Sequence, residues 1–139
     1  MPGEQKATSR YSGLPQILLV DDEPNFVKTV EFFLKANGYQ VIVATDGQEA
    51  LQKVEMFKPD LILLDIMMPK MDGLEVCQKL KSSENTLSIP VLMVTAKSQR
   101  EDVTKAAQSG ANSYIVKPFN LVDLVNKIHS MLKNPDLSK

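Results

Sequence analysis

Short runs of apolar residues alternate along this chain with stretches in which apolar side chains recur every third or fourth position. The runs Gln16 to Val20, Gln40 to Ala44, Leu61 to Leu64, Pro90 to Val94 and Ser113 to Val116 have the length and composition of strands. Between them, Phe26, Val30, Phe33 and Leu34 form one helical stripe, Leu74, Cys77 and Leu80 another, and Leu121, Leu124, Val125, Ile128, Met131 and Leu132 a third. The stretch from Ser98 to Ser109 offers only Val103, Ala106 and Ala107, so its helix buries little. Asp46 with Glu49 and Ser98 with Glu101 read as capping boxes, Asn120 as the cap of the last helix, and Gly38 and Gly110 as helix stops. One of Asp21, Asp22 and Glu23, ahead of Pro24, suits the start of the first helix. Five strands alternating with five helices predict an α/β fold: a doubly wound five-stranded parallel sheet covered on both faces, in three α/β/α layers. Residues 1–14 are polar and without periodicity and predict a disordered leader, 15–133 one domain, and 134–139 a flexible tail.

Composition removes several classes of function. The 139 residues carry 16 Lys and Arg against 17 Asp and Glu, a balance with no basic footprint for a phosphate backbone, so no direct nucleic-acid contact is expected. No apolar run approaches spanning length, which argues against membrane insertion and for the cytoplasm. The single cysteine, Cys77, excludes an intramolecular disulfide and a multi-cysteine metal site and reads as core. The single histidine, His129, excludes a histidine metal cluster and reads as part of a solvated helix face. Neither a Gly-x-Gly-x-x-Gly loop nor a Walker-type Gly-Lys-Ser/Thr sequence occurs.

In an open parallel sheet the functional crevice lies outside the carboxyl ends of the strands. Here the first strand is followed by Asp21 and Asp22, the third by Asp65, the fourth by Thr95, and the fifth by Lys117 and Pro118. Three carboxylates in one crevice repel one another unless a cation or a raised pKa intervenes, and an all-oxygen ligand set suits a hard ion such as Mg²⁺. Lys117 supplies a point charge for a carboxylate or phosphoryl oxygen, and Thr95 a hydroxyl for the same oxygen. An Asp between such groups can attack phosphorus, and Asp65 is the candidate nucleophile. Taken singly, each residue has an ordinary role: a helix cap, a turn acid, a β-branched strand end, a surface charge. Their joint placement is what points to chemistry.

The segments Leu19-Val20-Asp21-Asp22-Glu23-Pro24, Leu64-Asp65-Ile66-Met67-Met68-Pro69-Lys70-Met71-Asp72-Gly73, Thr95-Ala96 and Lys117-Pro118-Phe119 resemble the receiver domains of two-component response regulators, over about Gln16 to Leu132. The resemblance implies strand order 2-1-3-4-5 and a cis peptide between Lys117 and Pro118. It implies Mg²⁺ bound directly by Asp22 and Asp65, partly through water by Asp21, and by the backbone carbonyl of Met67. Asp65 would become an aspartyl phosphate, with Lys117 and Thr95 assisting. The donor would be a phosphohistidine on a sensor histidine kinase or phosphotransfer protein, or acetyl phosphate. Such a chain assists its own phosphorylation and dephosphorylation without being an enzyme in the usual sense. Met67 and Lys97, at positions that tune dephosphorylation, offer no group to place water, which implies a long-lived phosphoryl group. Thr95, Ala96 and Tyr114 would carry the signal to the surface of the fourth helix, fifth strand and fifth helix, for a downstream protein target, with the chain a monomer or a phosphorylation-dependent dimer. Two alternatives remain beside it. A non-phosphorylated pseudo-receiver would usually lack an acid or the lysine, and a haloacid dehalogenase-like phosphotransferase would need a second Asp where Met67 stands. The chain's end shortly after the fifth helix suits a stand-alone receiver and equally a piece of a longer regulator.

Overall fold

In the computed structural model, strand and helix alternate throughout: β1 (Gln16–Val20), α1 (Pro24–Ala36), β2 (Gln40–Ala44), α2 (Gly47–Phe57), β3 (Leu61–Asp65), α3 (Gly73–Lys81), β4 (Val91–Thr95), α4 (Arg100–Gln108), β5 (Ser113–Val116) and α5 (Leu121–Lys133). The structure describes residues 13–68, 71–95 and 100–133, with the side chains of 100–102 excepted. All of the expected tail and, apart from Gly13 and Leu14, the expected leader lie outside these residues, as do Pro69, Ala96, Lys97 and Ser98 with its proposed capping box.

The strands lie in the order β2-β1-β3-β4-β5, every neighbouring pair parallel, as the resemblance implies. Because successive side chains of a strand point to opposite faces, the apolar runs divide into two cores. Ile17, Leu19, Leu61, Leu63, Leu92 and Val94 pack with Val27, Val30 and Leu34 of α1 and Leu124, Ile128 and Met131 of α5. Leu18, Val20, Ile62, Leu64, Val91 and Met93 pack with Ala50 and Val54 of α2, Val76, Cys77 and Leu80 of α3, and Ala106 of α4. Each large aliphatic side chain buried this way stabilises the fold by about 1.5–3 kcal/mol. Those contacts tie the functional end of the sheet to a rigid base.

Several local expectations need correction. β3 extends through Asp65 and β4 through Thr95, because the parallel register continues as Asp65↔Val94 and Thr95↔Val116. Pro90 drops out of β4, since it has no N–H for the ladder, though its carbonyl still accepts from the Ile62 amide at 3.0 Å. Glu23 caps α1, its carboxylate accepting from the Phe26 N–H, with Pro24 opening the helix. Asp46 accepts from the Glu49 amide at 2.8 Å as a capping box requires. The Glu49 carboxylate, however, reaches one residue further back, to the amide (2.7 Å) and hydroxyl (3.0 Å) of Thr45. Asn120 caps α5 by accepting from the Asp123 amide at 2.7 Å. Gly38 and Gly110 follow their helices with φ of +92° and +97°, whereas α2 stops at Lys58, a lysine in the left-handed region. On α1, Val27 joins the buried face while Phe26 and Phe33 stay half-buried; on α4, Ala107 is exposed, so the helix rests on even less apolar surface than expected.

β2 is an edge strand. Its Ala44 carbonyl accepts from the Asp21 amide, so the adjacent Val43 carbonyl faces the open side. There the Lys53 ammonium, held by Glu49 at 3.0 Å, donates to it at 2.6 Å.

Candidate functional site

The β1–β3 register ends at Val20↔Leu64, which sets Asp21 directly beside Asp65. Asp21 is 1% exposed and Asp65 8%, while Asp22 projects to solvent. Each of the three offers a carboxylate oxygen within 4.8 Å of the others. Asp21 is held at both oxygens: Oδ1 accepts from the Glu23 amide at 2.9 Å, and Oδ2 faces Lys117 Nζ at 3.5 Å. Asp65 Oδ1 accepts from the Met67 amide at 3.1 Å, which turns the chain sharply out of β3.

Behind Asp65 the loop doubles back, with the Gly73 amide donating to the Ile66 carbonyl at 3.1 Å. A Cβ on Gly73 would fall 2.2 Å from the Asp65 carbonyl oxygen, so only glycine lets α3 begin this close to the strand. Asp72 then caps α3 through the Glu75 amide at 2.9 Å. Loop and strand end are thus locked together.

Burial raises the Asp65 pKa to about 6; the Met67 hydrogen bond opposes this, the charge of Asp21 adds to it, Lys117 opposes it and Asp22 adds again. Burial is thus the main cause of the shift, and the neighbouring carboxylates reinforce it. The three carboxylates form a group of oxygen ligands close enough to hold a metal ion.

Thr95 is fully buried at the end of β4, and its carbonyl accepts from the Lys117 amide at 2.8 Å, joining β5 to the site. The Lys117–Pro118 peptide is cis, as the resemblance implies. One element of the site was not anticipated from the sequence: Lys117 Nζ lies 4.0 Å from the centroid of the Phe26 ring, and that ring meets Phe119 edge-on at 6.0 Å and 83°. These aromatics line a groove of about 590 Å³ with Glu23, Thr29 and Leu121. The sequence placed Phe26 only on the apolar stripe of α1.

Met67 is 68% exposed, its side chain beside the acidic residues. Tyr114 is 40% exposed on β5, with Lys127 Nζ of α5 5.8 Å from its ring centroid. Asp21, Asp22, Asp65, Thr95 and Lys117 thus meet at one end of the sheet, Tyr114 sits apart on the β5–α5 surface, and Ala96 lies outside the described residues. Cys77 is buried in the core and His129 exposed, both as expected.

Residues 17–129 match the family model described as the response regulator receiver domain. The chain is 42% identical over 88% of its length to the alkaline phosphatase synthesis transcriptional regulatory protein PhoP of Bacillus subtilis, covering 50% of that protein. It is 40% identical over 88% of its length to the DNA-binding dual master transcriptional regulator RpaA of Synechocystis, covering 51%. The chain therefore spans about half the length of these relatives. Among solved structures, a response regulator from Chloroflexus aurantiacus superposes with a TM-score of 0.84 at 31% identity, over 87% of this chain and 99% of that one. The receiver domain of sensor histidine kinase PA1611 from Pseudomonas aeruginosa, which has a magnesium ion coordinated in its active site cleft, gives 0.82 at 30% identity, over 87% and 99%.

Proposed function

The chain belongs to the response regulator receiver family, and from that premise we propose that Asp65 is its phosphoacceptor, with Mg²⁺ held by Asp22, Asp65, the Met67 carbonyl and, through water, Asp21. The observation that carries this reading is the buried Asp65 carboxylate at the end of a central strand, grouped with Asp21 and Asp22. The donor set fits: three carboxylates within 4.8 Å of one another are hard oxygen ligands, and the magnesium of the PA1611 receiver supports the same assignment here. A bound ion would offset the negative charge of the carboxylates and of the transferring phosphoryl group.

The residues of the chain do the rest. The Met67 amide holds one Asp65 oxygen, leaving the other to attack. As the Asp65 oxygen–phosphorus bond forms, the donor's bond to phosphorus breaks: acetate leaves from acetyl phosphate, or the imidazole nitrogen of a phosphohistidine recovers its electron pair. Lys117 and Thr95 take phosphoryl oxygens by ion pair and hydrogen bond, so the group is stabilised by contacts absent before transfer. Binding one state better than the other is what shifts a two-state surface. We place that surface on α4, β5 and α5, where α4 is held by little apolar area and Tyr114 stands outward, ready to follow Thr95 inward. Ala96, small and next to Thr95 in sequence, belongs to the same proposed switch.

The donor is a sensor histidine kinase or phosphotransfer protein, and the readout partner a protein. The expectation of no nucleic-acid contact finds no support in the relatives, which are named as a transcriptional regulatory protein and a DNA-binding transcriptional regulator and extend well beyond the matched region; we keep it for the receiver surface alone, on its near-neutral charge. No helix among the described residues is long and apolar enough to cross a membrane, and we place the chain in the cytoplasm, beside phosphorylated kinases and acetyl phosphate. A pseudo-receiver is disfavoured because both acid and lysine groups are present and brought together.

Intact-mass analysis after incubation with Mg²⁺ and acetyl phosphate tests the proposal. One phosphoryl adduct is expected on the wild type and none on Asp65→Asn; an adduct that persists in Asp65→Asn would sink it.

A further inference from the structure

Lys117 is the side-chain cation that the proposed chemistry uses beside Mg²⁺, and its ion pair with Asp21 is loose. At 3.5 Å from Asp21 Oδ2, with its side chain 30% exposed, the ammonium is only weakly fixed by that partner. A lysine stem is long and flexible, so an ammonium tethered on one side would sample many positions. The second contact is the face of Phe26, 4.0 Å from Nζ to ring centroid, well inside the range of a cation–π attraction.

The ring is itself fixed at three points. Phe26 stands in the first turn of α1, where its amide donates to the Glu23 cap. Its edge-to-face partner, Phe119, follows Lys117 and the cis Pro118 in the same loop. The ring also packs against the core under α1 and α5. The loop that carries the lysine therefore also carries the buttress of the ring that receives it.

We propose that Phe26 is a positioning residue for phosphorylation, holding the Lys117 ammonium at the rim of the acceptor crevice; this rests on Asp65 being the phosphoacceptor. An aromatic face suits the task better than a second carboxylate would. It attracts the ammonium without neutralising it and without taking up an N–H in a short hydrogen bond, so donors stay available to the incoming phosphoryl oxygens. Pre-placing the charge removes part of the ordering that would otherwise accompany transfer.

The test uses acetyl phosphate, which is too small to report on kinase docking in the adjoining groove. Phe26→Leu keeps apolar bulk and removes the ring, Phe26→Tyr keeps the face, and Phe32→Leu, on the exposed side of α1, is the control. The Lys117 ε-methylene protons should show an upfield ring-current shift in the wild type and in Phe26→Tyr, and lose it in Phe26→Leu. At saturating donor, Phe26→Leu should form aspartyl phosphate about two- to fivefold more slowly, the size expected of an exposed cation–π contact, with Phe26→Tyr and Phe32→Leu near the wild-type rate. The proposal is overturned by a wild type without the ring-current shift, by wild-type rates in Phe26→Leu, or by a slow Phe26→Leu that Phe26→Tyr fails to match. A wild type that takes up no phosphoryl group would instead overturn the phosphoacceptor reading beneath it.

Discussion

Replacing Asp65 by Asn removes a charge that the folded chain holds unwillingly. In the unfolded chain this carboxyl releases its proton near 3.8, in the folded chain at about 6. At about 1.4 kcal/mol for each pH unit of that gap, the folded state loses roughly 3 kcal/mol as the pH rises through the window. The direction follows from proton counting. Between the two values the folded state binds more protons than the unfolded one, so stability falls from about pH 4 to pH 6 and then levels. Asn keeps the Oδ1 acceptor for the Met67 amide but has no charge to bury. With EDTA present, the variant should match the wild type at about pH 3.5 and exceed it by about 2–3 kcal/mol at pH 7–8, on the order of 10 °C in Tm. Urea titrations of both proteins across that range measure the gap for the acidic cluster, since carboxylates remote from Asp65 cancel while Asp21 and Asp22 respond to its charge. Saturating Mg²⁺ should then narrow it, because binding stabilises the wild type by about 2.7 kcal/mol at a hundredfold excess over Kd. Equal stabilities at pH 8 without metal, or a gap that widens towards acid, would refute the account of Asp65 as a charge buried ahead of its cation.

Gly73→Ala forces a methyl onto the Asp65 carbonyl and should cost at least about 2 kcal/mol in urea unfolding, with Mg²⁺ affinity, read by titration calorimetry, falling at the same time. Leu63→Ala, in the fully buried centre of β3, should lose about 2–5 kcal/mol, while Phe32→Ala, at a side chain 75% exposed, should stay within about 0.5 kcal/mol by the same assay. Met67→Asn places an amide beside the phosphoryl group where the wild type has an exposed thioether, and should shorten the lifetime of the aspartyl phosphate in a radiolabel chase; an unchanged lifetime counts against a water-positioning role there.

The architecture was legible because β1, β3 and β4 are buried along their whole length and leave uninterrupted apolar runs in the sequence. The acidic and basic residues were legible because parallel strands end together, so position after each run is position in space. Less visible were features set by packing between distant elements. Pro59 signals the end of α2, but nothing in the sequence announces the left-handed turn at Lys58, since a lysine has no intrinsic preference for that region. Glu49 chose Thr45 over its expected partner, because the β2–α2 turn presents both the amide and the hydroxyl of Thr45 to one carboxylate. The ring of Phe26 meets Lys117 only because α1 and α5 share one face of the sheet, a fact that periodicity within either helix does not encode.

The lysine over the Val43 carbonyl bears on how the chain behaves when crowded. An open strand edge is a template on which a second chain can lay its own backbone, and among the described residues β2 is such an edge. An intruding strand would have to strip the Lys53 ammonium from Val43 and bury or expel its charge, at the expense of its ion pair with Glu49. A single side chain from α2 thus works as a guard against fibril-like stacking, and Lys53→Ala should show it as faster turbidity growth near the unfolding midpoint.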